Sequence, residues 1–157
     1  MKVKKMVIGY IFDKDNVLLI YKKRGFGKGL YNGFGGKLEN GENSLDALKR
    51  EGYEELNIKI LEADYYGKLL FYDDNKLAID CDVYIVKKYS GKPKESDEVK
   101  PIWFNLNEIP FDKMWEDDRY WLKHLLKKEK FVGKFYFTDL FGKNPRLLYH
   151  EITLYEE

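Results

Sequence analysis

GGKLENGENSLDALKREGYEELNI, Gly35 to Ile58, passes from a glycine-rich loop into a short helix that crowds its carboxylates together. Asn43 or Ser44 can cap that helix, and Asp46 in its first turn suits the helix dipole. On a wheel of about 100° per residue, Leu45, Leu48, Gly52 and Leu56 fall within an arc of about 80°, the stripe expected to be buried. Glu51, Glu54 and Glu55 occupy a neighbouring arc of about 100°, and Ala47 in the same arc is expected to leave the surface beside them open. Glu51 and Glu55 stand one helical turn apart, a like-charge pairing that weakens an isolated helix by about 0.2–0.5 kcal/mol. Gly52, in the middle of the stripe, costs about 1 kcal/mol against alanine, which points to a second backbone packed very close.

Runs of charge usually mark a solvated helix face. Here the carboxylates adjoin the buried stripe instead of opposing it, and no lysine sits where it could compensate them. The loop before the helix is rich in glycine, so its carbonyls can approach a ligand closely. Clustered carboxylates with a backbone carbonyl are hard oxygen ligands suited to Mg²⁺, with Mn²⁺ as a substitute. Such a cation relieves the repulsion, and it needs few protein ligands where substrate phosphates supply the rest.

Beyond this stretch, a chain of 157 residues that is 44% hydrophobic and 35% charged reads as one globular domain over residues 1–157. No apolar run approaches the roughly 20 residues of a membrane span, and the N-terminus lacks the small-residue cleavage site of a signal peptide. Cys81 is the only cysteine, which excludes an internal disulfide and a thiolate metal cluster and suits a cytoplasmic location. With 28 basic against 27 acidic residues there is no general reason to expect a nucleic-acid or membrane partner, and oligomeric state leaves no mark in the sequence. His124 and His150 are scattered without ligand spacing.

Strands are expected over residues 3–13 and 16–23, joined by the turn DKDN, and in a hairpin of Lys59–Tyr72 with Lys76–Tyr89. Further strands are expected at VKPIWFNL, FVGKFYFTD and RLLYHEITLY, with a short one inside the glycine loop RGFGKGLYNGFGG. MWEDDRYWLKHLLKKEK reads as a second helix beginning near Trp115. Strands outnumber helices and are not separated by regular crossovers, so the fold class is α+β: a mixed sheet flanked by helices.

Gly36, Glu42 and the run Arg50-Glu51-Gly52-Tyr53-Glu54-Glu55-Leu56-Asn57-Ile58 together resemble the Nudix box. Every charged position agrees. Gly52 stands in place of the usual aliphatic residue and Asn57 in place of the usual glycine, a mild change because asparagine tolerates a left-handed helix end. The resemblance implies an α/β/α sandwich with a mixed sheet and hydrolysis of a nucleoside diphosphate linked to another group. It also implies that Glu51, Glu54, Glu55 and the carbonyl of Gly36 hold divalent cations, and that Arg50 pairs with Glu42 or a ligand glutamate.

The segments KKRGFGKGLYNGFGGKLENGE, ESDEVKPIWFNLNEIPFDKMWEDDRYW and KKEKFVGKFYF are similar to animal MutT-type oxidised purine nucleoside triphosphatases. That resemblance places Asn32, Trp115, Asp117 and Asp118 around the base, Phe26 and Phe71 beside it, Lys22 near the substrate, and Glu98 as an extra carboxylate at the metal. The side chains suit a flat base: Asn32 carries both donor and acceptor, and Phe26, Phe71 and Trp115 offer faces that could sandwich a purine. Adjacent Asp117 and Asp118 disfavour double ionisation, so that one proton shared by the pair can match the altered edge of an 8-oxo-purine. Tyr31 stands where those enzymes carry tryptophan, and Glu116 where they carry proline, which leaves the loop before the Asp pair less pre-set.

The expected activity is Mg²⁺-dependent conversion of 8-oxo-dGTP and similar nucleotides to monophosphate and pyrophosphate, a sanitation of the nucleotide pool. Glu55 or Glu98 would accept the proton of the attacking water. The alternatives are hydrolysis of another diphosphate, such as ADP-ribose or a dinucleoside polyphosphate, and a nucleotide-binding module without chemistry.

Overall fold

The computed structural model describes residues 2–155. Its strands are β1 (Lys4–Asp13), β2 (Asn16–Lys22), β3 (Tyr31–Asn32), β4 (Phe34–Lys37), β5 (Lys59–Asp73), β6 (Lys76–Ser90), β7 (Val99–Asn105), β8 (Lys130–Thr138) and β9 (Arg146–Tyr155). The helices are α1 (Ser44–Leu56) and α2 (Asp118–Leu126), with a 3-10 turn at Phe111–Lys113. The sheet runs β3-β2-β1-β6-β5-β8-β9, with β4 paired to β1 and β7 to β2. β1 with β6 and β5 with β8 are parallel, and the remaining pairs are antiparallel, so the sheet is mixed as expected. None of the helices described is long and apolar enough to cross a membrane.

Side-chain alternation along β1 and β6 divides the core between the two faces of the sheet. Val7, Ile11 and Val86 pack with Leu48 and Leu56 of α1. Ile8, Tyr10, Val83 and Ile85 pack with Trp121, Leu122 and Leu125 of α2.

Helix α1 begins where its cap predicts. The Asn43 side chain accepts from Asp46 N at 2.8 Å. The helix ends at Asn57, which takes the left-handed conformation (φ 57°) and donates its N–H back to Gly52 O and Tyr53 O. The buried face, however, is rotated from the expected stripe. Ala47 is fully buried and Glu55 is only 2% exposed, while Leu45 is half-buried. Ala47 therefore leaves no open surface beside the carboxylates. A wheel ranks the faces of a helix, but the sheet beneath decides which arc is covered. Gly52 also faces side chains instead of a backbone: a Cβ there would lie 2.9 Å from Ile60 Cδ1 and 3.4 Å from Phe34 Cε2.

Removing the cap tests how far α1 relies on it. Asn43→Ala is expected to destabilise the protein by about 1 kcal/mol and to lower its melting temperature by about 2–4 °C, measured by circular dichroism.

The glycine loop forms two short strands where one was expected. Gly35 (φ 150°) lies so close to the carbonyl of Val7 that a Cβ would collide with it, and this lets β4 dock on β1. Helix α2 starts at Asp118, later than the sequence pattern suggests, because Trp115–Asp117 form a turn closed by Asp118 N to Trp115 O at 3.1 Å. It also stops at Leu126. Lys128 has positive φ, and its ammonium lies 4.0 Å from the centre of the Phe12 ring.

Candidate active site

Arg50 organises the acidic face of α1. Its guanidinium makes a two-pronged contact with Glu42, Nε to Oε2 at 2.8 Å and Nη2 to Oε1 at 3.0 Å. It reaches Glu51 Oε1 at 2.6 Å, Glu54 Oε2 at 3.2 Å and the carbonyl of Lys37 at 3.1 Å. The pairing with Glu42 or a ligand glutamate therefore includes both. Hydrogen bonds from Arg50 and from Glu39 N hold the Glu42 carboxyl below the usual range.

Glu51 and Glu55 behave differently from Glu42. Burial raises the Glu51 carboxyl above its ordinary value despite Arg50. Burial, and next the charge of Glu51, push Glu55 up to about 8, against a hydrogen bond from Gly35 N at 3.0 Å and the charge of Lys22. Glu98 adds to the repulsion on both from an exposed loop, where its own contact is Arg24 at 3.6 Å. Glu54 is half exposed and tied to Arg50. Among the described residues no three acidic, histidine or cysteine side chains converge into a ready-made metal cage.

The donors still fit a hard divalent cation. A Cβ on Gly36 would lie 2.8 Å from Glu51 Oε2, so only a glycine leaves that carboxylate beside the loop backbone. An incomplete set of oxygen ligands suits Mg²⁺, which keeps several waters and takes further oxygens from phosphates.

Glu55, Gly36 and Lys22 line a cavity of about 250 Å³. Asn32, Phe26, Phe71, Trp115, Asp117 and Asp118 line the same cavity, while Arg50, Glu51, Glu54 and Glu98 lie outside its lining. Phe26 packs on Trp115 with ring centres 5.0 Å apart, leaving no room for a base between them. These two form one wall instead of the two sides of a sandwich. Phe71 lines the cavity as well and stacks on Phe135, with ring centres 5.9 Å apart.

Asp117 and Asp118 are each 2% exposed. The Trp121 indole N–H donates to both, at 2.9 Å to Asp117 Oδ2 and 3.1 Å to Asp118 Oδ1. Asp117 Oδ1 and Asp118 Oδ2 are buried without a partner. Burial pushes Asp117 up to about 6. Burial and the neighbouring Asp117 charge push Asp118 well above the carboxylate range. Asp117 stands at the start of α2 but makes no side-chain cap hydrogen bond, and Asp118 lies in the first turn of the helix.

The departures at Glu116 and Tyr31 have clear outcomes. Glu116 Oε1 accepts from Leu147 N at 3.2 Å, which ties the loop to β9 where a proline would have stiffened it. Tyr31 lies outside the cavity lining and packs edge-on against Tyr21 and Phe104, each at 5.3 Å. Sequence reasoning missed Trp121, which bridges the two acids, and Tyr10, whose hydroxyl donates to Asn32 Oδ1 at 3.3 Å. The spacing from Asp117 to Trp121, one helical turn, was the available signal for the first. Nothing local marks the second.

The family model described as NUDIX domain matches residues 3–125. Over 130 residues the chain is 41% identical to the oxidized purine nucleoside triphosphate hydrolase of Mus musculus, spanning 82% of this chain and 83% of that protein. The protein of the same name from Danio rerio is 39% identical over 136 residues, spanning 85% of this chain and 86% of that one. The crystal structure of a mutator MutT protein from Bacillus halodurans is similar with a TM-score of 0.80 and 27% identity, covering 96% of this chain and 97% of that one. Motif, mixed sheet and sequence likeness agree over most of the length, and the chain belongs to the Nudix hydrolase family.

Proposed function

We propose that this protein hydrolyses oxidised purine nucleoside triphosphates, 8-oxo-dGTP above all, to nucleoside monophosphate and pyrophosphate, as one cytoplasmic domain that keeps the nucleotide pool free of damaged bases. The observation that carries this reading is the buried acid pair on the cavity wall, with one oxygen of each acid unpartnered. Two acids sharing a proton offer a donor beside acceptors. Guanine presents an acceptor at N7, whereas 8-oxo-guanine presents a donor there and a carbonyl beside it. An ionised carboxylate oxygen therefore pairs with the oxidised edge and is left facing a lone pair by the ordinary one. The mouse and zebrafish relatives bear names that agree with this substrate class.

Nudix hydrolases as a family use a divalent metal, and for this chain we assign Mg²⁺, with Mn²⁺ as a substitute. Gly36, Glu51, Glu54, Glu55 and Glu98 are the residues that would hold it, and bound there it supplies neutralisation of phosphate charge. Glu55 is the preferred acceptor of the water proton over Glu98. It is buried, and a carboxyl near 8 is matched to proton transfer close to neutral pH, whereas Glu98 is exposed. Arg50 holds Glu51 and Glu54 in place, and Lys22 offsets negative charge beside Glu55.

A panel of 8-oxo-dGTP, dGTP and ADP-ribose with Mg²⁺, read by release of pyrophosphate and phosphate, tests the reading. Pyrophosphate is expected from 8-oxo-dGTP at a kcat/KM at least about tenfold above dGTP. A preference for ADP-ribose, or binding without turnover, refutes it.

A further inference from the structure

Resting on the base-pocket reading above, we propose that Tyr10 is a positioning residue for base recognition: its buried hydroxyl fixes the Asn32 carboxamide so that Asn32 meets the ligand as a hydrogen-bond donor. Tyr10 is fully buried on β1, and the tip of its ring lies against Gly33. A Cβ on Gly33 would come within 2.7 Å of Tyr10 Cζ, so the glycine there makes room for this ring. The orientation of Asn32 follows from its partners. Gly33 N lies 2.9 Å from one terminal atom of the side chain, and a backbone N–H can only donate, so that atom is the oxygen. The Tyr10 hydroxyl donates to the same oxygen at 3.3 Å. Both lone pairs of Oδ1 are then engaged, and the NH₂ group is the part of Asn32 left for the cavity it lines.

Tyr10 also connects the two polar walls of the cavity. Its ring meets the edge of Trp121 at 5.9 Å, and Trp121 is the donor shared by Asp117 and Asp118. Burial, and next the charge of Asp118, with Asp117 adding to it, raise the Tyr10 hydroxyl above its ordinary value, so it stays protonated and able to donate. The wall formed by Asn32 is thereby a fixed donor, and the wall formed by the acids is adjustable through its shared proton. The base that fits carries a carbonyl towards Asn32 and a mixed donor–acceptor edge towards the acids. A base with an amino group towards Asn32 meets two opposed donors.

The product nucleotide 8-oxo-dGMP is the probe, because its binding reads the base pocket without turnover. Its Kd is measured by calorimetry for wild type, Tyr10→Phe, Asn32→Ala and the double variant, with melting curves for each and with kcat and KM for 8-oxo-dGTP. Tyr10→Phe keeps the ring against Trp121 and is expected to fold. It should raise Kd and KM by about five- to tenfold, the effect of one lost buried hydrogen bond, with kcat within about twofold. In the Asn32→Ala background the same change should have no further effect, because Tyr10 acts through Asn32. A purely structural tyrosine would weaken binding equally in both backgrounds, and that additivity overturns the proposal, as does an unchanged Kd in Tyr10→Phe. Wild-type protein that does not bind 8-oxo-dGMP overturns the substrate reading and this proposal together, whereas binding with additive variants overturns this proposal alone.

Discussion

Glu55→Gln is expected to lower turnover of 8-oxo-dGTP by about 10²- to 10⁴-fold at saturating Mg²⁺, the range lost with a general base, while the protein stays folded. Glutamine is nearly the same shape as glutamate, and its Oε1 can still accept from Gly35 N as Glu55 does at 3.0 Å. What it lacks is the charge. That charge is the problem for the metal-free fold, since Glu55 is 2% exposed and lies within reach of Glu51 and Glu98. The glutamine variant is accordingly expected to melt no lower than wild type in chelator above pH 8, where wild-type Glu55 must ionise in place. Activity and stability thus move in opposite directions, which a misfolded variant cannot imitate. Steady-state pyrophosphate release and a thermal melt in chelator provide both readings. Turnover near the wild-type rate would remove Glu55 from the chemistry.

The second large effect concerns the acid pair. Asp118→Asn is expected to reduce the preference for 8-oxo-dGTP over dGTP, as a ratio of kcat/KM values, by about 100-fold, in line with sites whose buried polar groups reject a wrong partner. The amide cannot exchange a proton with Asp117, so the adjustable donor–acceptor wall becomes a fixed one. Trp121 N–H still finds an oxygen, and the metal-binding residues lie on other elements, so hydrolysis itself should persist. An unchanged ratio in both Asp118→Asn and Asp117→Asn would exclude the pair from base recognition.

The same variant carries a pH signature. Burial raises the folded-state pKa of both acids above that of an unfolded carboxyl. A raised folded value means that the pair's contribution to stability is complete below about pH 4, the unfolded value. It is then lost as pH rises through about 6 for Asp117 and higher for Asp118. The melting temperature of Asp118→Asn relative to wild type should therefore climb from pH 4 upwards. A difference that stays flat between pH 4 and 8 would contradict the shared-proton description.

Much of helix α1 is readable without coordinates, because its information is local. Asn43 and Asn57 mark its ends through hydrogen bonds to residues three to five positions away, and Arg50, Glu51, Glu54 and Glu55 share a face by helical spacing alone. The hairpin of β5 and β6 is readable for the same reason, its turn residues lying between two long runs of strand formers. The start of α2 is not, since the pattern of aromatic and charged residues continues through Trp115. The turn there accompanies packing of Trp115 on Phe26 and Phe137, from segments distant in the chain.

Burial of Ala47 and Glu55 follows likewise from the sheet laid under α1, which a helical wheel does not contain. The depth of the acid pair, its shared indole donor and the orientation of Asn32 depend on Tyr10 and Trp121, more than a hundred residues apart in the sequence. By itself the sequence determined which groups could do chemistry, since residue type and helical spacing decide charge and face. Which of those groups lose water, share a proton or keep a donor free was decided by the tertiary structure, because desolvation and hydrogen-bond partnership depend on atoms from remote segments.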